Sequence, residues 1–212
     1  MKTLIRLAAV FLTLATAGSA LAQATGQYTG AEVLPAGSHL FGGYLDASND
    51  VVGLIAQLRL SFYPGVDFGF QGGPARISDG GSTRGTVRLG TDFKVAAHRA
   101  RADAPLDVAM GGMLAVETGD NFSVLSLGPT VVVSRGFHSD RPGGVTPYAS
   151  ASLLYSNIDA PSQNGSDVSC PLRFGAEIIA TPLAKIVVEV EFRLADDFRD
   201  PTNFIVGVNL PF

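Results

Sequence analysis

Lysine is almost missing from this sequence: Lys2, Lys94 and Lys185 are the only three in 212 residues. Charged residues of every kind reach 16%, against the roughly one quarter of an ordinary soluble domain. That excludes a densely charged, water-facing surface. The single cysteine, Cys170, excludes a disulfide framework and a multi-thiolate metal site. A formal charge of −4 argues against nucleic acid as a partner, because binding phosphate needs a basic face. Long apolar runs are missing too after residue 22: the nearest, Phe122 to Val133, is short and broken by Gly128 and Pro129, which excludes a membrane-spanning helix.

What is present begins with an address. Lys2 and Arg6 precede an apolar stretch from Leu7 to Ala17, followed by Gly18, Ser19 and the small-x-small pattern Ala20, Leu21, Ala22. This is the pattern of a secretory signal peptide over residues 1–22, cut after Ala22. The next residue is Gln23, not a cysteine that could carry lipid. Removing the leader takes away Lys2 and Arg6 and leaves thirteen basic against nineteen acidic residues, a net of −6. Residues 23–37 are expected to be a periplasmic N-terminal segment, and 38–212 a single β-barrel domain.

Period-two alternation recurs along the mature chain. Val52, Leu54, Ala56, Leu58, Leu60 and Phe62 alternate with a set that includes Gly53, Gln57, Arg59 and Ser61. After a turn at Pro64 and Gly65, Val66, Phe68 and Phe70 alternate with Asp67, Gly69 and Gln71. Similar segments cover about 86–95, 106–117, 122–134, 145–155, 171–180, 185–195 and 203–212, with a weaker opener at 38–46. The count is ten strands, with eight as the alternative. Loops are expected near 46–50, 75–83, 118–121, 156–170 and 196–202 at one end, and short turns near 63–65 and 181–184 at the other. The segments 97–105 and 135–144 are long for turns at that end.

Alternation does not say which face points inward; the chemistry of the polar face does. A soluble barrel would carry lysine and glutamate on its outside, whereas here the polar positions are mostly Gly, Ser, Thr and Gln with a few charges of both signs. These suit a crowded lumen. The expected lumen network is Arg59, Asp67, Arg88, Asp92, Lys94, Asp107, Glu117, Arg173, Glu177, Glu189, Glu191 and Arg193. The opposite face of 185–195, with Ile186, Val188, Val190, Phe192 and Leu194, carries no polar group, as hydrocarbon contact demands. A Leu58→Arg change is therefore expected to be costly and Gln57→Arg to be tolerated.

At the end of the chain, Phe204, Val206, Val208, Leu210 and Phe212 alternate with Asn203, Ile205, Gly207 and Asn209. With the leader and the amphipathic strands, this tail resembles the bacterial outer-membrane β-barrel superfamily, particularly its small barrels. The resemblance implies an all-β antiparallel transmembrane barrel in the outer membrane, in contact with lipid and lipopolysaccharide. It also implies that the final strand, ending on Phe212, is the sorting signal read by the barrel-assembly machinery. Pro211 departs from the pattern, since proline removes an amide donor at the last pairing position.

No chemistry-bearing constellation stands out. His39, His98 and His138 are scattered, with no ligand spacing around them. His138, Ser139 and Asp140 share one expected turn, whereas catalytic triads converge from separate elements. Gly80 to Gly85 lacks the lysine and following helix of a phosphate loop. Asp196, Asp197 and Asp200 form an acidic loop that is read as solvated rather than as a divalent-ion site. Phe62, Tyr63, Phe93, Phe192 and Phe212 are candidates for an interfacial girdle. No catalytic residue, metal site or cofactor is expected. The functional expectation is a structural, membrane-integrity or surface-contact role with a mostly plugged lumen. A narrow pore for small solutes is the alternative, and a lipid-modifying enzyme is less favoured.

Overall fold

The computed structural model describes residues 26–79, 82–120, 122–137, 142–160, 163–194 and 202–212. Its strands are β1 (His39–Ala47), β2 (Val51–Tyr63), β3 (Val66–Asp79), β4 (Ser82–His98), β5 (Asp107–Gly119), β6 (Phe122–Ser134), β7 (Val145–Ser152), β8 (Leu154–Ala160), β9 (Gln163–Thr181), β10 (Ala184–Leu194) and β11 (Thr202–Pro211). Each pairs antiparallel with its neighbours, and β1 pairs with β11. The sheet therefore closes on itself and leaves no unpaired edge around the barrel wall, the condition for crossing a bilayer with strands.

β7 and β8 are one staff of the barrel, so the wall has ten staves, as the alternation indicates, and not eight. Both halves pair with β6 and β9 in unbroken register, Thr130↔Ser152 continuing to Leu127↔Tyr155. The break falls at Leu153, opposite Pro129, which has no amide to donate. Beside it, a Cβ added to Gly128 would lie 1.9 Å from the Leu153 carbonyl oxygen. Only glycine permits that close approach.

The inward and outward faces follow from the alternation. Along β2 every odd position from Val51 to Ser61 is buried, and the even positions are exposed except for half-buried Leu60. Val52, Leu54, Leu58 and Phe62 form part of a continuous apolar exterior, joined by Leu89, Phe93, Leu114, Leu127, Phe174, Val188 and Phe192. Hydrophobic side chains facing out and charges facing in are the arrangement of a barrel embedded in lipid, the outer-membrane type. Of the girdle candidates, Phe62, Tyr63 and Phe212 lie exposed at the end that carries the short turns.

Closure is complete in spite of Pro211. The register runs from Ala47↔Phe204 to Leu40↔Pro211. Beyond it, Phe212 N–H donates to the His39 carbonyl at 3.0 Å, and His39 N–H donates to the Phe212 carbonyl at 3.2 Å. The two rings stack with centroids 5.4 Å apart.

Two expected loops are instead strand. β3 and β4 pair as far as Asp79↔Ser82, and β8 and β9 as far as Ala160↔Gln163. Strands of 17 and 19 residues exceed the ~9–11 that cross a bilayer, so these hairpins project beyond it. At the other end, Pro64–Gly65 and Pro182–Leu183 make the short turns, with Gly65 at φ +80°. The two longer connections there are pinned, one by Arg101–Ala104 backbone bonds and the other by the Phe137–Val145 bridge.

Candidate functional site

The barrel interior is the candidate site, and its first feature is the chain's own N-terminal segment. Residues 26–34 were expected outside the barrel, in the periplasm; the structure instead places them in the lumen. Gln27, Tyr28, Thr29, Ala31 and Val33 are all buried. A turn at Pro35–Ser38, closed by Ser38 N–H on the Pro35 carbonyl and with Gly37 at φ +81°, redirects the chain from lumen to wall. Glycine at the third position of such a turn meets the positive φ without strain.

A segment with no secondary structure has backbone groups that must find partners once buried, and the wall provides them. Lys94 Nζ donates to Thr29 Oγ1 (3.0 Å), the Gly30 carbonyl (2.7 Å) and the Glu32 carbonyl (2.8 Å). Gly30 N–H donates to Glu177 Oε2, Ala31 N–H to Ser134 Oγ and Leu34 N–H to Asp67 Oδ2. Gln57 Nε2 donates to the Gln27 carbonyl at 2.9 Å and Asn209 Nδ2 to the Tyr28 carbonyl at 3.0 Å. The Tyr28 ring packs on Tyr44, with centroids 4.3 Å apart. These two rings join Ile55, Val187 and Ile205 in a small apolar core inside the barrel.

Around this segment the wall charges form three clusters. In the first, Arg59 Nη2 lies 2.6 Å from Asp67 Oδ1 and 2.7 Å from Asp92 Oδ1, and Lys94 lies 3.7 Å from Asp67. The Gln71 side-chain amide also donates to Asp92. In the second, Arg88 bridges Asp46 (2.6 Å) and Glu117 (3.2 Å), and Thr86 donates to Glu117. In the third, Arg173 contacts Glu191 at 2.5 Å and Glu189 at 3.5 Å, Arg193 reaches Glu191 at 3.0 Å, and the Tyr148 hydroxyl donates to Glu189 at 2.7 Å.

Ten of the twelve charges read from the sequence as lumen residues are buried in this interior. Arg193 lies at the margin. Asp107 does not join a cluster: it sits at the start of β5, half-buried, and its Oδ1 accepts from Ala100 N–H in the adjoining turn. Asp46 is a lumen acid absent from the expected network; its even position on β1, in phase with Gly42 and Tyr44, was the available signal. Gln57, where an arginine was expected to be tolerated, is 1% exposed and clamped between Tyr44 and the Gln27 carbonyl. An arginine there has no space, which overturns its expected tolerance.

Some buried polar atoms lack a hydrogen bond: Asp46 Oδ1, Arg88 Nη2, Glu189 Oε1, Asn203 Oδ1 and both ends of the Gln27 amide. Among the described residues, no group of three or more His, Cys, Asp or Glu side chains is placed to hold a metal ion. The run at His138 to Asp140 and the acidic loop at Asp196, Asp197 and Asp200 lie outside the described residues. On the lipid-facing wall, Gly43, Leu45, Leu54, Ala56, Ile186 and Val208 line a shallow apolar groove of about 630 Å³. The C-terminal residues Phe204, Val206, Val208, Leu210 and Phe212 all face outward and are exposed.

No protein-family model matches the chain, and no curated protein matches it. Among solved structures it is similar to the N-terminal β-barrel domain of Pseudomonas aeruginosa OprF, at 12% identity and a TM-score of 0.41, covering 84% of this chain and 98% of that one. It is also similar to LpxR from Salmonella typhimurium, at 10% identity and a TM-score of 0.46, covering 84% and 85%. A bacterial polysaccharide outer membrane secretin matches at 14% identity and a TM-score of 0.48, covering 82% and 69%. Similarity at these scores carries no role over to this chain.

Proposed function

We propose that this outer-membrane-type barrel is a closed, non-catalytic wall element that contributes to membrane integrity or surface contact and does not conduct solute. The observation that carries the reading is residues 26–34 in the lumen, bonded to six wall residues, Asp67, Lys94, Gln57, Ser134, Glu177 and Asn209, with Lys94 alone holding three of the segment's oxygens. A barrel of about eight strands is filled by its own side chains; a ten-stranded one is wider, and here a length of chain takes up the extra room. The projecting β3–β4 and β8–β9 hairpins would supply surface contacts, and lipid with lipopolysaccharide would be the barrel's neighbours. The outward-facing C-terminal strand would be the part that the barrel-assembly machinery recognises.

The test is single-channel recording in a planar bilayer. The intact protein is expected to give no steady openings, and a chain lacking residues 26–34 to give them. Steady, reproducible openings from the intact protein would establish a pore and sink the closed reading.

A further inference from the structure

Gly43 sits in the middle of β1, on its lipid-facing side, and the fold does not require a glycine there. It pairs with Ala56 on β2 and Val208 on β11, it is not among the glycines with positive φ, and a Cβ added to it would meet nothing within 4 Å. Gly42 beside it differs: it faces inward, where a Cβ would strike the Tyr44 hydroxyl. A glycine inside a strand costs about 0.5–1 kcal/mol relative to alanine. Where the fold gains nothing in return, such a glycine marks a place that something else approaches closely.

Gly43, Ala56 and Gly72 lie in register across β1, β2 and β3. They floor the apolar groove on the lipid-facing wall, which Val208 and Ile186 continue across β11 and β10. The register makes the groove climb. Ile186, Val208 and Gly43 lie two, three and four residues from the short-turn ends of their strands, and Gly72 and Ala56 six and seven. Four steps between strands at ~4.8 Å give a length of about 19 Å. A tail crossing one leaflet, about 15 Å deep, fits along it at a slant.

A cation stands above the upper end. Pro74 lines the groove, and Arg76 follows two places further out on β3, exposed between buried Ala75 and Ile77. Among the described residues it is the one arginine or lysine in the outward phase of a strand. Ten residues separate it from Val66 at the short-turn end; at ~3.4 Å each and a tilt of ~40°, that is about 26 Å of height. The apolar band of such barrels is ~25 Å tall, so Arg76 stands where hydrocarbon gives way to phosphate. Gly85, its partner on β4, leaves the space beside it open, since a Cβ there would also meet nothing within 4 Å. Ser78 and Thr83, paired just beyond and both exposed, add hydroxyls.

We infer that this is a binding site for one lipid of the outer leaflet, with a phosphate on Arg76 and one acyl chain in the groove over Gly72, Ala56 and Gly43. Hydrocarbon alone gives no preference here, because lipid tails are as apolar as the wall. The choice is made by the guanidinium, whose fork matches a phosphate with two parallel bonds. The occupant is the phosphorylated, multiply acylated sugar that anchors lipopolysaccharide: its phosphate is carried on the sugar itself, whose hydroxyls meet those of Ser78 and Thr83. The inference rests on the membrane-integrity reading and names its partner, but it does not depend on whether the lumen is closed.

The test is native mass spectrometry of the refolded barrel in detergent, titrated with purified lipid A, with its dephosphorylated form and with phosphatidylglycerol. One lipid A per barrel is expected, held more tightly than phosphatidylglycerol and about tenfold more tightly than the dephosphorylated form, the factor that one good charge-assisted pair supplies. Arg76→Gln is expected to lose that factor. Gly43→Leu fills the groove floor at a position with open space, so it is expected to keep the heat-modifiable folded band on a gel and to lower lipid A binding several-fold. If that variant does not fold, Ala56→Leu provides the same comparison. Equal binding by the wild type and both variants would overturn the inference, and so would phosphatidylglycerol binding as tightly as lipid A. Loss with Arg76→Gln alone would leave a headgroup contact without a seated tail and overturn it too, as would a dimer of the barrel that Gly43→Leu dissociates. Steady openings in a planar bilayer would remove the closed lumen and leave this site standing; a silent barrel without selective lipid binding would do the reverse.

Discussion

Replacing Lys94 by methionine removes one charge and almost no volume, which makes it the cleanest probe of what holds the lumen segment. The ammonium group has three short bonds to that segment and an ion pair at 3.7 Å with Asp67. In Lys94→Met the Gly30 carbonyl loses this donor in a buried site and the Glu32 carbonyl in a part-buried one. Each costs about 1–3 kcal/mol if nothing replaces the bond, while the Thr29 hydroxyl can turn elsewhere. Asp67 keeps Arg59 at 2.6 Å and the Leu34 amide, so little is added for a stranded carboxylate. The expected loss is therefore about 2–5 kcal/mol, measured by equilibrium urea unfolding of the refolded barrel in lipid vesicles. The same variant is expected to flicker open in a planar bilayer, because the clasp is weakened without narrowing the lumen. A stability change below about 0.5 kcal/mol with an electrically silent barrel would refute the clasp, and with it the claim that Lys94 fixes the segment.

Three further changes probe other parts of the wall. Leu58→Arg on the lipid face is expected to cost roughly 2–4 kcal/mol if the site lies near mid-bilayer, read as a lower urea midpoint; no loss would mean that this face meets water. Gln57→Arg, two residues from Arg59 on the same inward face, is expected to expel the segment near Gln27 and raise conductance, so a silent and fully stable variant would contradict the tight interior. Gly128→Val brings a side chain against the Leu153 carbonyl, where even a Cβ would sit 1.9 Å away. It should abolish the heat-modifiable folded band on a gel, and a normal band would show that the β6–β8 contact relaxes.

The wall was legible in the sequence because lipid on one side and a crowded interior on the other impose opposite demands on alternate residues. Arg59, Asp92, Glu189 and Glu191 stood out as charges among outward Leu, Phe and Val, and all four are buried. Beyond the bilayer that contrast fades: Ser78, Thr83, Asn157 and Ser166 carry no apolar partner phase, yet their backbones still pair in hairpins. The lumen segment was illegible for a related reason. Gly26 to Leu34 has no period and no strong propensity, and its place is fixed by side chains far away in sequence, such as Lys94, Glu177 and Asn209. Asp107 was misread because phase alone does not report that a strand has reached the rim.

The turn at Pro35–Ser38 joins the lumen segment to β1 through four residues. Covalent attachment over so short a distance makes the segment a ligand tethered beside its own receptor, with an effective concentration on the order of millimolar. Dilution does not release such a ligand, and a competing peptide would have to exceed that concentration to displace it. The occupancy of the lumen is thus independent of how much protein the membrane holds, and cutting the chain between Leu34 and His39 is the one simple act that would turn a permanent occupant into a dissociable one.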